Sequence, residues 1–131
     1  MKKTVTVAPM MDCTDKHEIF FLSLISKNIK LFTEMIVSNA ILRGDRNKIL
    51  SFKKIKNPVA IQLGGSDPEQ LAEACRVVED YGYDEINLNL GCPSKKVQKN
   101  KFGACLMQEP DLVAKCIEAM AKATKLPVTI K

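Results

Sequence analysis

Pro58-Val59-Ala60-Ile61-Gln62-Leu63-Gly64-Gly65-Ser66-Asp67-Pro68 contains a strand, its stop and the start of a helix. Pro58 to Leu63 is apolar almost throughout, as a strand buried on both faces requires, and Gly64 and Gly65 end it. Asp67 has Gln70 three residues on, the spacing at which two side chains reciprocally satisfy free backbone amides, and Pro68 suits the first helical position. Leu71, Ala74, Cys75 and Val78 then recur at helical spacing and should face the sheet. Working outward, the same alternation holds from end to end. Strands are expected at Thr4 to Ala8, ending at Pro9, at Leu31 to Glu34, at Asp84 to Leu90, halted by Gly91, and at Pro127 to Lys131. Asp15 and Glu18 repeat the capping spacing before a first helix, and Leu112, Val113, Cys116, Ile117 and Met120 form the apolar stripe of the last one. The segment from Ser38 to Lys54 reads as one or two short helices with a turn at Gly44-Asp45.

Five strands alternating with helices make an α/β fold with a parallel sheet. They suit either an open doubly wound sheet or the first part of an eight-stranded (β/α)8 TIM barrel. No GxGxxG follows the first strand and no GxxxxGK[ST] occurs, so the usual phosphate-loop signs of a nucleotide-binding open sheet are missing. Barrel enzymes place their chemistry where the strands end, and here Glu34, Gln62, Asn87, Asn89 and Lys131 all sit late in their strands. Polar groups recurring at one end of otherwise apolar strands suggest side chains gathered around a ligand; ordinary fraying into solvent is the plainer alternative.

With 131 residues and 46% apolar content the chain can bury one core. Its net charge of +5 favours polyanionic partners, although a solvated lysine-rich surface explains it equally well. Five cysteines, Cys13, Cys75, Cys92, Cys105 and Cys116, are widely spaced with no CxxC pair, and His17 is the single histidine, which argues against a zinc site. Cys75 and Cys116 fall on helix stripes as small buried hydrophobes, and a reducing, cytoplasmic setting suits five unpaired thiols. Lys2 and Lys3 precede an apolar stretch that Thr4, Thr6 and Asp12 interrupt, against a secretory leader, and no stretch is long enough to span a membrane.

Ile86-Asn87-Leu88-Asn89-Leu90-Gly91-Cys92-Pro93-Ser94 carries the chemistry. A strand delivers two amides and then, through a glycine turn, a thiol, with Pro93 holding Cys92 to extended backbone. A thiol donates a proton only while protonated, and an enclosed site with no histidine or metal beside it favours that form. Cys92 therefore suits a general acid better than a nucleophile, against the alternative of a small packed hydrophobe.

Six blocks, APMMDCTD (8–15), TEM (33–35), QLGGSDP (62–68), INLNLGCPS (86–94), FGACLM (102–107) and PVTIK (127–131), are similar, in order, to tRNA-dihydrouridine synthases. QLGGSDP and FGACLM look most like the A-type bacterial branch. The resemblance implies an FMN-binding TIM barrel followed by a helical tRNA-binding domain, with reduction of the uracil C5-C6 double bond of D-loop uridines in tRNA at the expense of NADPH. Residue by residue it implies that Cys92 gives the proton to C5 and that Asn89 is an amide near the uracil. It implies that Gln62 and Lys131 hold the flavin's pyrimidine edge, and that Pro9, Met10 and Met11 form a wall of its pocket. A fixed ammonium such as Lys131 suits the negative charge of reduced flavin near N1 and the C2 oxygen. Met10 and Met11 as core fillers, Lys131 as solvated charge and Gln62 bonded only to its neighbours are the duller readings. Thr33 and Glu34 match without a role. His17 is expected at a surface or capping position on the first helix. Lys95, Lys96, Lys99 and Lys101 are expected in a loop beyond Cys92, within reach of RNA phosphates.

A barrel needs eight strands and this chain stops after the fifth. Residues 1–131 are therefore expected to be a partial FMN-binding barrel, with the last strands, the phosphate clamp and the helical domain outside the chain, leaving open edges, little or no FMN binding and no activity in isolation. Two competitors are another FMN-dependent barrel oxidoreductase acting on a small substrate, against which QLGGSDP and FGACLM argue, and a non-catalytic RNA-binding remnant, which would bind no flavin.

Overall fold

The computed structural model describes residues 4–99 and 101–131, and the side chains of Lys96 and Gln98 are outside that description, as are Lys2 and Lys3. Among the described residues five strands form one parallel sheet in the order β1-β2-β3-β4-β5: β1 Val5–Thr6, β2 Ile29–Val37, β3 Val59–Gly64, β4 Glu85–Leu88 and β5 Val128–Ile130. An open doubly wound sheet reverses its strand order at a switch point, whereas strictly sequential parallel strands wind in one direction. That order resolves the alternative left by the alternation: the sheet curls as the N-terminal part of a TIM barrel.

Helices connect the strands: α1 Lys16–Ile25, α2 Ser38–Arg43, α3 Arg46–Leu50, α4 Pro68–Glu79, α5 Lys95–Lys99 and α6 Pro110–Ala123, with a 3-10 turn at Gly103–Gln108. The two short helices expected between Ser38 and Lys54 are α2 and α3, and Asp45 caps the second by accepting from the Lys48 N–H at 3.1 Å. Leu71, Ala74, Cys75 and Val78 of α4 are fully buried with Ile61, Leu63, Ile86 and Leu88 of the sheet. Each large side chain in that layer contributes about 1.5–3 kcal/mol by leaving water. Cys116 and Met120 of α6 join them, while Leu112, Val113 and Ile117 are half-buried.

Two local expectations need correction. The capping spacings are only half used. Asp15 accepts from His17 and Glu18, both at 2.9 Å, but its own N–H goes to the Cys13 carbonyl rather than to Glu18. Asp67 likewise accepts from Glu69 and Gln70, and the Gln70 amide meets the Asp67 carboxylate instead of its backbone. The lysine segment after Cys92 is not a loop but contains α5, because Val97 is buried in the core and one helical turn is enough to seat it. The edge strands and α1 leave Val5, Phe21, Leu24, Ile25 and Ile130 more than half exposed, in line with the open edges expected from sequence. Among the described residues no helix is long and apolar enough to cross a membrane.

Candidate active site

Alternation along a strand sends every second side chain away from the helices. In register this puts Phe32 beside Ala60, Ala60 beside Glu85, Gln62 beside Asn87 and Asn87 beside Thr129 on that inner face. Gln62, Asn87 and Asn89 are all at least nine-tenths buried there, so fraying into solvent does not describe these strand ends. Buried amides must find partners, and these find one another. Asn89 Nδ2 donates to Gln62 Oε1, Gln62 Nε2 to Asn87 Oδ1, and Asn87 Nδ2 to Thr129 Oγ1, each at 2.8 Å. Thr129 Oγ1 donates to Glu85 Oε1 at 2.6 Å, and the other carboxylate oxygen of Glu85 receives the Lys30 ammonium.

At the upper end Asn89 Oδ1 accepts from the N–H groups of Gly91 at 3.3 Å and Cys92 at 3.0 Å. This is an Asx turn, in which the side chain replaces the ladder as the strand gives out. Strand pairing persists to that point, since Asn89 N–H reaches the Leu63 carbonyl and Leu90 N–H the Lys131 carbonyl, although β4 itself ends at Leu88. The Cys92 carbonyl accepts from Ala104 N–H at 3.1 Å, so the FGACLM segment closes over the turn from above. Cys92 is half-buried and lines a cleft of about 680 Å³ over the ends of β2 and β3, shared with Met11, Val37, Gly65, Ser66 and Phe102. A larger groove of about 780 Å³ runs from Glu34 past Lys48 to Phe52 and Tyr83, and no cysteine lines it.

The loop after β1 is held by residues to which the sequence assigned no role. Glu34 Oε2 accepts from Asp12 N–H at 2.9 Å, and Asp12 has φ 60°, a left-handed conformation that Asp tolerates. Thr14 Oγ1 accepts from Met10 N–H at 2.9 Å. Thr33 Oγ1 accepts from Gln62 N–H at 3.0 Å where the β2–β3 register shifts, taking the place of a ladder carbonyl.

The structure thus brings Cys92, Asn89 and Gln62 into one bonded group and places Met11 on the Cys92 cleft. Met10 and Met11 are 59% and 49% exposed, so they are not core fillers, and Pro9 is half-buried beside them. Lys131 follows β5 with an exposed side chain and does not line either cleft. His17 is exposed on α1, where its backbone N–H caps onto Asp15, and it lies outside the Cys92 cleft. Cys105 is half-buried, while Cys75 and Cys116 are fully buried. Burial pushes the Cys75 thiol up to about 12; Cys116 is raised as well, by burial and by the Asp67 carboxylate. Thr129, Glu85 and Lys30 were missed as site residues. Polar residues at 85, 87 and 89 alternate with apolar ones, which is the one sequence signal that could have found Glu85.

Residues 6–131 match the family described as Dihydrouridine synthase (Dus). The chain is 57% identical over 127 residues to a tRNA-dihydrouridine(20/20a) synthase of Synechocystis sp., covering 97% of this chain and 38% of that protein. It is 50% identical over 131 residues to the protein of that name from Pseudomonas aeruginosa, covering 100% of this chain and 40% of the relative. The chain therefore spans about two-fifths of the length of the curated relatives it matches. By this match and by its fold, the chain belongs to the dihydrouridine synthase family.

Proposed function

We propose that this chain is the N-terminal part of the barrel of a tRNA-dihydrouridine synthase of the 20/20a type, an FMN-dependent, NADPH-driven oxidoreductase that reduces the uracil C5-C6 bond of D-loop uridines. The observation that carries this reading is the Cys92 thiol in a cleft at the strand ends, on a turn capped by Asn89, in a chain that matches the family almost throughout. A C-terminal continuation supplies the remaining strands and a helical tRNA-binding domain, in keeping with the relatives' greater length. Five free cysteines suit a cytoplasmic protein.

The residues fit a flavin edge. Gln62 spends one N–H on Asn87 and one lone pair on Asn89, which leaves it one donor and one acceptor. Lys131 has no side-chain partner among the described residues, and its ammonium suits the negative charge of a reduced flavin. Pro9, Met10 and Met11 offer uncovered apolar surface for a planar ring. A bound FMN, reduced by NADPH, would supply hydride for C6 of the uracil. Cys92 gives its proton to C5, quenching the charge left on the pyrimidine. Asn89, with one side-chain N–H unpaired among the described residues, orients the uracil over that thiol. Exposed Lys95, Lys99 and Lys101 lie close in sequence to Cys92 and meet tRNA phosphates.

The test uses the complete protein loaded with flavin, NADPH and unmodified tRNA, with nucleosides analysed by mass spectrometry. A two-hydrogen mass gain on D-loop uridine is the expected result. Its absence with a reducible flavin in place overturns the reading.

A further inference from the structure

Carboxamides are nearly symmetric in shape, so packing alone does not choose which end of Asn89, Gln62 or Asn87 carries the oxygen. The ends of the hydrogen-bonded chain do choose. Glu85 can only accept, and Lys30 can only donate to it. Thr129 has one hydroxyl hydrogen and must give it to Glu85 Oε1, so its lone pair is what remains for Asn87 Nδ2. Asn87 then shows its oxygen to Gln62 Nε2, Gln62 shows its oxygen to Asn89 Nδ2, and Asn89 shows its oxygen to the N–H groups of Gly91 and Cys92. Those backbone groups can only donate, so both ends demand the same direction. Reversing any one amide would set two N–H groups, or two oxygens, against each other.

We propose that Glu85, at the opposite end of its strand from the thiol, is a positioning residue for Cys92: it anchors from below the hydrogen-bond direction that presents the Asn89 oxygen to the Cys92 turn. Ala60 makes the anchor possible, because its register places it between the strand of Lys30 and Glu85, and its methyl lets the lysine pass over β3. A neutral amide at position 85 removes the constraint. Its oxygen goes to Lys30, its NH2 turns to Thr129, and the hydroxyl hydrogen, no longer claimed by a carboxylate, competes with Asn87 Nδ2, so the amides above lose their lower anchor and the Asn89 oxygen is held toward Cys92 only by the backbone donors. The importance of Cys92 rests on the function proposed above; the direction of the chain does not.

The test is residue-resolved amide exchange by NMR in the complete polypeptide that carries this chain, without flavin or tRNA, so failure of the dihydrouridine reading and failure of this one are separate results. E85Q and the isosteric T129V should speed exchange at Gly91 and Cys92 by about two- to tenfold, the range one net hydrogen bond spans. T129S keeps the hydroxyl and should restore the wild-type rate. The ladder amides of Ile86 and Lys131, which bond Pro127 and Leu88, should not change. The proposal is overturned if folded E85Q and T129V leave Cys92 exchange unaltered, if Ile86 and Lys131 loosen to the same degree, or if T129S does not restore it. Should T129V fail to fold, E85Q decides alone; if neither folds, Glu85 serves the stability of the sheet and the proposal falls.

Discussion

A Cβ on Gly103 would stand 2.8 Å from the carbonyl oxygen of Cys92 and 2.6 Å from Val97 Cγ1. Gly103 also has φ 70°, a conformation that L side chains rarely adopt. The backbone of FGACLM therefore lies against the Cys92 turn as closely as backbone can, and Ala104 N–H takes the Cys92 oxygen. Gly103→Ala should destabilise the fold by about 1–3 kcal/mol through strain and displacement of the turn. Urea unfolding checks this: the midpoint should fall with an unchanged slope.

Cys92→Ala in the complete enzyme should lower turnover on tRNA by about 10²- to 10⁴-fold, the usual contribution of a placed general acid. Flavin binding and its reduction by NADPH should stay near wild type, since the role proposed for the thiol begins only when the pyrimidine takes its proton. Cys105→Ala is the control from the same neighbourhood. Rapid-mixing absorbance separates the two half-reactions, and reoxidation by tRNA at the wild-type rate in Cys92→Ala would refute the proton-donor role.

Asp15→Ala should cost about 1 kcal/mol at neutral pH, because the cap on α1 is lost. The Glu18 and His17 backbone amides hold the Asp15 carboxyl below its ordinary value of 3.8, with the His17 and Lys16 charges helping, against a smaller cost of burial. A carboxyl lowered by folding stabilises above its unfolded value, and the contribution fades as pH falls through the lower folded one. Thermal melts of wild type and variant should therefore converge below about pH 4.

The five thiols should separate in reactivity. Exposed Cys13 should react with iodoacetamide in minutes, whereas Cys75 and Cys116 should stay unmodified until the protein unfolds. Burial lifts Cys75 from 9.0 to about 12, so its thiol favours the folded state fully below pH 9 and progressively less as pH rises towards 12. Peptide mass mapping at pH 8 checks the order, and labelling of Cys75 ahead of Cys13 would contradict it.

Local chemistry made much of this molecule legible before any coordinates. Gly64-Gly65 mark a real strand end, Pro68 opens α4, and the spacing of Leu71, Ala74, Cys75 and Val78 names the buried stripe, whereas the fourth strand stops at Leu88, three residues before Gly91. Those signals act over a few residues, where backbone geometry and periodicity suffice. The five-residue α5 was not legible, because one buried apolar residue among lysines is too short a pattern to show periodicity.

By itself the sequence determined the existence of the five strands, every helix but α5, the thiol just beyond the fourth strand and the blocks that carry the family likeness. Strand order belonged to the tertiary structure, because alternation is the same in a barrel and an open sheet and only the pairing of distant strands distinguishes them. So did the partners of the buried amides. Lys30 and Glu85 are 55 positions apart, and Asn87 and Thr129 are 42 apart. Such hydrogen bonds exist only after the sheet has curled and brought one inner face together, because their geometry is fixed by register between strands and not by spacing along the chain.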